Sequence, residues 1–343
     1  MRLATYNIEW FNALFDDAGI LLDDDVWSAR YNITRSDQAV AIGTVLNALD
    51  ADAVMIIEAP DHNGRRSTVT ALEGFAALMG LRARRALVGF TNDTQQEIAL
   101  LYDPDVLSVV HDPIGPVTGQ PRDGDAPRFD SAFRIDLDVD ARADVVRFSK
   151  PPLEVAVTTA GGTRLRLIGV HLKSKAPRGA ATPEDAQRIS IANRRKQLAQ
   201  AIWLRARVDA HLAAGDSLIV MGDLNDGPGL DKFEHLFGRS SVEIVLGEGE
   251  EARLFDPHAQ HALGRKFGTM HSTSRFYLSD RKCYMQALLD YIMVSPDLHQ
   301  RGPVWRIWHP FDDPACWSRP ELRDALLAAS DHFPVTLDID LGS

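Results

Sequence analysis

The feature that most constrains the fold is a succession of short apolar segments, each about the length of a single β-strand. Some alternate apolar and polar residues, as half-buried strands do, and others are continuous apolar runs that favour strands buried on both faces. The predicted strands are residues 2–8, 53–59, 97–103, 133–139, 153–159, 164–172, 217–223, 289–295 and 335–340. This many strands beside few helical segments predicts a mixed α/β protein.

Three segments have helical patterning. They cover residues 36–49, with Ser36 as the predicted N-cap, residues 66–80, closed by Gly80, and a long stretch from Thr182 and Pro183 to Gly215. A threonine cap followed by proline is a typical helix start. The basic residues of the long helix are expected on its solvated outer face; they are Arg188, Arg194, Arg195, Lys196, Arg205 and Arg207.

Composition narrows the class of protein. The chain has 343 residues, of which 45% are hydrophobic and 25% charged, so it can bury a core without disulfides or structural metals. Its two cysteines form no CxxC pair, which makes a structural zinc site improbable. No apolar run approaches the roughly 18 residues of a membrane span, and no signal-peptide core is present. We therefore expect a cytoplasmic protein without membrane association.

The organisation of the chain favours one domain over residues 1–343, because no linker divides it. Three segments lack clear periodicity and are predicted to be long loops: residues 111–130, 239–286 and 309–330. Long loops in compact domains are usually functional. The net charge of −11 disfavours, without excluding, a long nucleic acid as the partner.

The segment "SLIVMGDLND" ends an apolar strand with Asp223 and Asn225 at a spacing of two. In an extended chain, side chains at this spacing point to the same side, so both would face one spot at the carboxyl end of the strand. Open α/β sheets bind ligands at such ends. The alternative is an ordinary turn, because Gly, Asp and Asn are common turn residues. This segment alone leaves both interpretations open.

Other predicted strands also end or begin with polar residues that a core would not favour. These residues are Asn7, Glu58, His171, Asp290 and the Asp331-His332 pair. Each residue alone is best interpreted as a cap, a turn residue or a structural histidine. Six such sites in one chain, counting the Asp223-Asn225 pair, indicate a functional cluster.

The ordered set resembles the endonuclease/exonuclease/phosphatase superfamily. The matching positions are Asn7, Glu58, His171, Asp223-Leu224-Asn225, Leu289-Asp290-Tyr291 and Ser330-Asp331-His332. The resemblance implies a four-layer α/β sandwich, in which two face-to-face mixed β-sheets are flanked by helices. The chain departs from the pattern at Lys150, where a relative can carry arginine, and after Glu58, where Ala59-Pro60 replaces a more usual valine.

The resemblance also implies a metal-dependent hydrolysis of phosphoester bonds. The expected ligands offer only oxygen atoms: Asn7, Glu58, Asp223, Asn225 and Asp331. Oxygen ligands suit a hard cation, so Mg²⁺ or Mn²⁺ is expected rather than zinc. In the family, the glutamate that corresponds to Glu58 is the central ligand.

The remaining site residues have implied roles in attack by water. His332 would be the general base, and Asp290 would hold its second ring nitrogen. Asp223 would lie near the leaving oxygen, while Asn225 and His171 would donate to phosphate oxygens. Relatives often pair the second histidine with a carboxylate on another strand. Glu97 is the candidate here, although a shift of one residue would give Gln96.

The substrate is less constrained than the chemistry. Candidate substrate-binding residues are Lys173, Lys175, Arg265 and Lys266. A small organophosphate is favoured by the acidic charge balance, whereas a DNA or RNA substrate is the alternative. A basic cluster at residues 265–284, interleaved with aromatic residues, favours nucleic acid if those rings stack bases, whereas a solvated loop is the alternative interpretation of the same cluster. A non-catalytic binding module is a third possibility, disfavoured because the catalytic set is complete. The sequence does not determine the oligomeric state.

Overall fold

A computed structural model of the chain describes residues 1–116, 126–135, 144–228, 238–249, 252–264, 271–278 and 282–342. Two large β-sheets dominate these ranges, and both contain parallel and antiparallel pairs. The first sheet has six strands, in spatial order β14 (Val304–Ile307), β15 (Val335–Asp338), β1 (Arg2–Asn7), β2 (Ala53–Ala59), β4 (Glu97–Tyr102) and β3 (Arg85–Val88).

The second sheet has five strands. Their spatial order is β13 (Asp290–Val294), β10 (Leu218–Asp223), β9 (Arg164–His171), β8 (Leu153–Thr159) and β5 (Leu107–His111). Two antiparallel ribbons lie outside the large sheets: β6 (Phe133–Ile135) with β7 (Asp144–Val146), and β11 (Ser274–Leu278) with β12 (Cys283–Ala287).

The helices differ widely in length. They are α1 (Arg35–Leu49), α2 (Thr68–Met79), α3 (Pro183–Ala213), α4 (Ser241–Leu246), α5 (Pro257–Gly264), α6 (Pro296–His299), α7 (Pro314–Trp317) and α8 (Pro320–Ala329), with a 3-10 turn at Phe11–Leu14. Within the described ranges, none of these helices combines the length and the apolar character needed to cross a bilayer.

The two sheets pack face to face over a shared apolar core. Strand alternation explains how, because Leu3 of β1 enters this core while its neighbours Ala4 and Tyr6 point to the opposite face. The second sheet contributes residues such as Leu167 and Ile219 to the same core. Burial of these side chains holds the carboxyl ends of β1 and β9 on the same side of the molecule.

Helices cover the outer face of each sheet. On the first sheet, α1, α2 and α8 pack residues such as Val45, Leu72 and Leu326 against its outward side chains. On the second sheet, α3 and α4 do the same with residues such as Trp203 and Val245. The layers therefore run helix, sheet, sheet, helix, which confirms the predicted four-layer α/β sandwich.

Most of the predicted strands and helices are present, but the predicted N-cap of α1 was wrong. The cap of α1 is Thr34 rather than Ser36, because the Thr34 side chain accepts the Asp37 N–H. Thr182 caps α3 as predicted, since its hydroxyl accepts from Asp185 N–H. The predicted strand 133–139 is present as β6, and its residues 136–139 lie outside the described ranges.

The predicted loops contain regular structure that local patterns did not indicate. Residues 239–286 include α4, α5, β11 and most of β12, and residues 309–330 include α7 and α8. The expectation for α3 was also wrong in part, since Arg194 and Arg207 are buried. Buried guanidinium groups need carboxylate partners, here Asp226 for Arg194 and Glu154 for Arg207.

Candidate active site

Three strand ends of the second sheet place polar side chains side by side. Strands β9 and β10 are parallel, and their last residues, His171 and Asp223, are direct partners in the register. Strand β13 runs antiparallel to β10, so its first residue, Asp290, lies opposite Asp223. All three residues are buried. The pairing of the strands alone therefore produces a row of one histidine and two carboxylates.

The first sheet adds two residues from its neighbouring parallel strands. Asn7 ends β1, and its Nδ2 donates a hydrogen bond of 3.0 Å to Asp223 Oδ2, which joins the ends of the two sheets. Glu58 lies near the end of β2 on a β-bulge, with a left-handed φ of 62°. A bulge changes the direction of one side chain without changing the rest of the strand.

The Asp223-Leu224-Asn225 segment forms a tight turn and a polar cluster together. Asn225 has a left-handed φ of 51°, so its side chain does not reach Asp223 through strand pleating as the spacing suggested. Instead, the Asn225 N–H donates to Asp223 Oδ1 at 2.6 Å, and Asn225 Nδ2 donates to Asp223 Oδ2 at 3.0 Å. Asn225 Nδ2 also donates to the Leu172 carbonyl. The turn and the functional cluster are therefore the same structure.

His332 and Asp290 form a buried pair. His332 Nδ1 lies 2.7 Å from Asp290 Oδ2, which also accepts a hydrogen bond from the Thr273 hydroxyl at 2.8 Å. Burial opposes a charged imidazole, but the carboxylates of Asp290, Asp331 and Asp223 outweigh it and raise the pKa of His332 well above its ordinary value. This geometry leaves Nε2 of His332 as the nitrogen that can exchange protons with a ligand.

His171 has the opposite electrostatic environment. Burial, reinforced by the nearby Lys150 ammonium, lowers the pKa of His171 well below its ordinary value. Lys150 Nζ lies 3.1 Å from His171 Nδ1 and 3.9 Å from Glu58 Oε1. The structure therefore favours a neutral His171 ring beside the Lys150 side chain.

These side chains line one cleft of about 860 Å³. Residues from both sheets contribute to its floor, and they include Asn7, Glu58, Lys150, His171, Asp223, Asn225, Asp331 and His332. The ribbon β11–β12 forms part of its wall through Phe276, Leu278 and Met285. Predicted site residues from five strand ends therefore share one cleft, and the sixth, Asp290, contacts it through His332.

The oxygen-rich part of the cleft fits a divalent cation. Asn7 Oδ1 is buried and accepts no hydrogen bond from the described residues. Burial raises the pKa of Glu58, and it raises the pKa of Asp223 to about 7, with repulsion from Asp290 contributing to the Asp223 shift. A bound cation would offset this cost of burying carboxylates.

A second grouping of ligand atoms overlaps the first. Within the described residues, Asp223, Asp290 and His332 bring one ligand atom each within 4.8 Å of one another. Because His332 Nδ1 is engaged with Asp290, the oxygen ligands at Asn7, Glu58 and Asp223 are the more available set. They match the chemistry that hard cations such as Mg²⁺ require.

Glu97 does not have the predicted role as the carboxylate partner of His171. Glu97 accepts from Asn92 Nδ2 at 2.7 Å, and no contact joins it to His171. The bulge at Glu58 explains why, because it shifts the register so that Glu97 pairs with Ala59. Gln96 lines the cleft instead and donates to Glu58 Oε2 at 2.7 Å.

The predicted substrate-binding lysines have different environments. Lys173 and Lys175 both line the cleft, but Lys175 Nζ is 2.6 Å from the buried Asp226 carboxylate. Arg265 and Lys266 lie outside the described residues. Lys173 is therefore the predicted cation best placed for a ligand.

Sequence reasoning missed three residues of the cleft. Lys150 was noted only as a departure from the family pattern, and Gln96 only as an alternative to Glu97. Glu9, two residues after Asn7, also lines the cleft, where it pairs with Arg30. Its pKa is raised to about 7 by burial and by Asp331. The spacing of two from Asn7 was the available signal for Glu9.

Comparison with known proteins agrees with this geometry. No curated protein sequence matches the chain. Among solved structures, the fold is similar to an AP endonuclease from Archaeoglobus fulgidus, with 12% identity, 99% of this chain and 100% of that chain covered, and a TM-score of 0.51. It is also similar to an endonuclease/exonuclease/phosphatase family protein from Bacteroides thetaiotaomicron, with 15% identity, 99% and 98% coverage, and a TM-score of 0.50. Identities this low show the fold alone.

A family model provides the stronger evidence. The model of the endonuclease/exonuclease/phosphatase family matches residues 4–332, which includes every strand end that lines the cleft. The matched range begins within β1 and ends at His332. This protein therefore belongs to the endonuclease/exonuclease/phosphatase family, whose members are phosphoester hydrolases.

Proposed function

We propose that this protein hydrolyses a phosphoester bond of a small or modest-sized organophosphate by in-line attack of water, with Mg²⁺ or Mn²⁺ as its cofactor. The observation that carries the proposal is the convergence of three groups in one cleft. These are the oxygen ligands at Asn7, Glu58 and Asp223, the His332–Asp290 pair, and the His171–Lys150 pair.

The His332–Asp290 pair supplies the base for attack. His332 Nε2 would accept a proton from the attacking water, while Asp290 accepts the hydrogen bond from Nδ1 and stabilises the imidazolium that forms. His332 must be neutral at the start of this step, although the surrounding carboxylates raise its pKa. A divalent cation bound by Asn7, Glu58 and Asp223 would offset those carboxylates and neutralise charge on the substrate phosphate.

The groups that adjoin the oxygen ligands would hold the phosphate. His171 Nε2 and Lys150 Nζ each lie 3.9 Å from Glu58 Oε1, and they would donate to phosphate oxygens, where negative charge grows in the transition state. Asn225 Nδ2 would do the same by exchanging its hydrogen bond to Leu172 or Asp223. Asp223, which accepts hydrogen bonds from Asn7 and Asn225, would lie near the leaving oxygen and help to hold the cation that stabilises the charge developing there. Each chemical requirement of phosphoester hydrolysis thus has a candidate residue of this chain.

A nuclease is the second candidate, and the ribbon β11–β12 favours it. Tyr277 and Tyr284 are 56% and 55% exposed, and the Arg275 guanidinium lies 3.5 Å from the Tyr284 ring centroid. Exposed aromatic rings beside a cation can stack nucleic-acid bases. The net charge of −11 opposes a long polyanion, so we rank this candidate second.

One experiment tests the function and ranks the two substrates. Purified protein is assayed with a chromogenic phosphodiester, a chromogenic phosphomonoester, plasmid DNA and single-stranded oligonucleotides, with Mg²⁺, Mn²⁺ or excess chelator. We expect turnover of a small ester that chelation abolishes and Mg²⁺ or Mn²⁺ restores. His332→Ala should remove it, whereas Arg188→Glu, a change on the exposed face of α3, should not. Full activity in excess chelator would refute the proposed chemistry.

A further inference from the structure

Three cations that line the cleft form no ion pair with the part of the chain that the structure describes. Lys173 follows the end of β9, Arg178 lies in the loop that leads to α3, and Lys196 projects from α3; all three line the cleft. We call them the basic wall. Among the described residues, no carboxylate forms an ion pair with any of the three.

Two other cations of the same region, Lys175 and Arg194, have a structural role because each forms an ion pair with a buried carboxylate. Lys175 Nζ and Arg194 NH1 lie 2.6 and 2.7 Å from the same oxygen of Asp226, which is buried under the loop. The Asp226 carboxylate also accepts from the Ser241 N–H. These contacts fix the loop and α3 in place, so Lys175 and Arg194 are accounted for by the fold.

The basic wall is instead crowded with like charge. Burial lowers the pKa of Lys173, and repulsion from Lys196 and Arg178 lowers it further. The backbone of Lys173 is held in this position from α3, because Gln200 accepts its N–H at 2.9 Å and Gln197 donates to its carbonyl at 2.9 Å. A rigid backbone that holds cations together in an acidic protein fits an anionic ligand.

The basic wall lies beside the reacting centre. Lys173 is two residues beyond His171, and the Arg178 charge acts on Lys150, His171 and Glu58. Under the proposed function, Lys150, His171 and Asn225 are the donors to the phosphate that reacts. A ligand that occupies both regions must therefore present a second anionic group.

We propose that the substrate carries a second phosphate group, which Lys173, Arg178 and Lys196 bind while the first phosphate is hydrolysed. This inference rests on the proposed phosphoester hydrolysis for the identity of the first site. Three cations suit the dianion of a phosphomonoester better than the single charge of a diester. The substrate class is then a small organic bisphosphate, in which one phosphate is cleaved and the other is bound by the basic wall without reacting.

Binding measurements with matched ligands test this proposal. Straight-chain diols of increasing length are prepared as monophosphates and as bisphosphates, so that each pair differs only in the second phosphate and the series covers many separations. Affinities are measured by titration calorimetry with Mg²⁺ on the whole protein carrying His332→Ala, so that the ligands are not hydrolysed during the titration. We expect at least one bisphosphate to bind about tenfold or more tighter than its matched monophosphate, as expected for charge-assisted hydrogen bonds.

Variants identify the residues that make a bisphosphate bind more tightly than its matched monophosphate. Arg178→Glu and Lys196→Glu should each bring the affinity ratio of the pair close to one, because they replace attraction by repulsion. Arg188→Glu is the matched control, since it makes the same charge change on α3 outside the cleft, and it should keep the ratio. Far-UV circular dichroism establishes that each variant is folded.

The outcomes separate this proposal from the proposed function. Equal affinities across the whole series, or a ratio that survives both cleft variants, would overturn the second phosphate site. A gain seen only with an oligonucleotide, and with none of the bisphosphates, would overturn the small-molecule assignment. If the bisphosphate advantage is present but no phosphoester is hydrolysed, the anion site stands and the catalytic proposal fails.

Discussion

The sharpest prediction concerns the Asp290 carboxylate, which is buried and 2.7 Å from His332 Nδ1. Asp290→Asn changes one oxygen into an amide nitrogen with almost no change in shape. If the amide oxygen keeps its bonds to His332 and Thr273, the new NH₂ takes the place of Oδ1, which has no partner among the described residues. If the amide turns over, its NH₂ faces Nδ1 and forces the ring proton onto Nε2, where the base must accept one.

The magnitude follows from the charge that is lost in either case. The 2.7 Å contact places the carboxylate and imidazolium charges about 4 Å apart, where their attraction is about 4 kcal/mol at an effective dielectric constant of about 20. The attraction develops only as His332 gains its proton, so it acts on the transition state. A barrier higher by about 4 kcal/mol slows the reaction about a thousandfold.

The assay is kcat as a function of pH with a chromogenic phosphoester and saturating Mg²⁺. The rate should rise with pH as His332 loses its proton, which produces an acidic limb. Because Asp290 contributes to raising the pKa of His332, Asp290→Asn should move that limb to lower pH while lowering the plateau. Asp256→Asn, at a buried carboxylate that binds the Ala259 and Ile292 N–H groups, is the matched control. A variant that keeps both the wild-type plateau and the wild-type limb would refute the assignment of His332 as the base.

Four other changes have defined outcomes. Glu58→Gln should raise the Mg²⁺ concentration needed for activity at least about tenfold, measured by metal titration of the rate. His171→Ala should lower kcat by about two to three orders of magnitude, and loss of the acidic limb in this variant would show that the two histidine roles are exchanged. Asp226→Asn should lower the free energy of unfolding in urea by about 3–5 kcal/mol, because it removes a carboxylate partner of buried Arg194. Burial raises the pKa of Glu97 to about 7, so its protonated form adds stability that is complete below the unfolded pKa of about 4.3 and lost as the pH rises through 7. Glu97→Gln should therefore raise Tm more at about pH 8 than at about pH 5.

Local signals explain which parts of the fold could be predicted. The start of α3 was predictable because Thr182, Pro183 and the acidic first turn act within a few residues of one another. The strands of the two central sheets were predictable because their apolar residues are continuous or alternate. The ribbon β11–β12 was missed because its residues are mostly exposed and its pairing is defined by a partner strand rather than by a buried face.

The main error in the interpretation of α3 was the expectation that all its basic residues are solvated. A run of arginines on a helix is usually solvated, and the sequence shows no difference between Arg188, which is exposed, and Arg194, which is buried. The difference comes from Asp226, which is adjacent to Arg194 only after α3 packs on the second sheet. Contacts between distant segments cannot be inferred from the helix pattern itself.

Two kinds of backbone geometry position the residues of the candidate site: strand register and left-handed backbone. They differ in how well the sequence predicts them. His171, Asp223 and Asp290 converge by strand register, which any correctly paired sheet of this kind would produce. Glu58 and Asn225 instead depend on left-handed backbone, a conformation that costs about 1–2 kcal/mol for a residue such as glutamate and less for asparagine. Such conformations persist where the surroundings enforce them, and they concentrate at functional sites. The bulge at Glu58 shifts the register so that Gln96, rather than Glu97, contacts Glu58. This single irregularity explains why the predicted pairing of Glu97 with His171 is not formed. Among the predicted site residues, Glu58 and Asn225 are those with a left-handed backbone, and their positions therefore depend on contacts that the local sequence pattern does not specify.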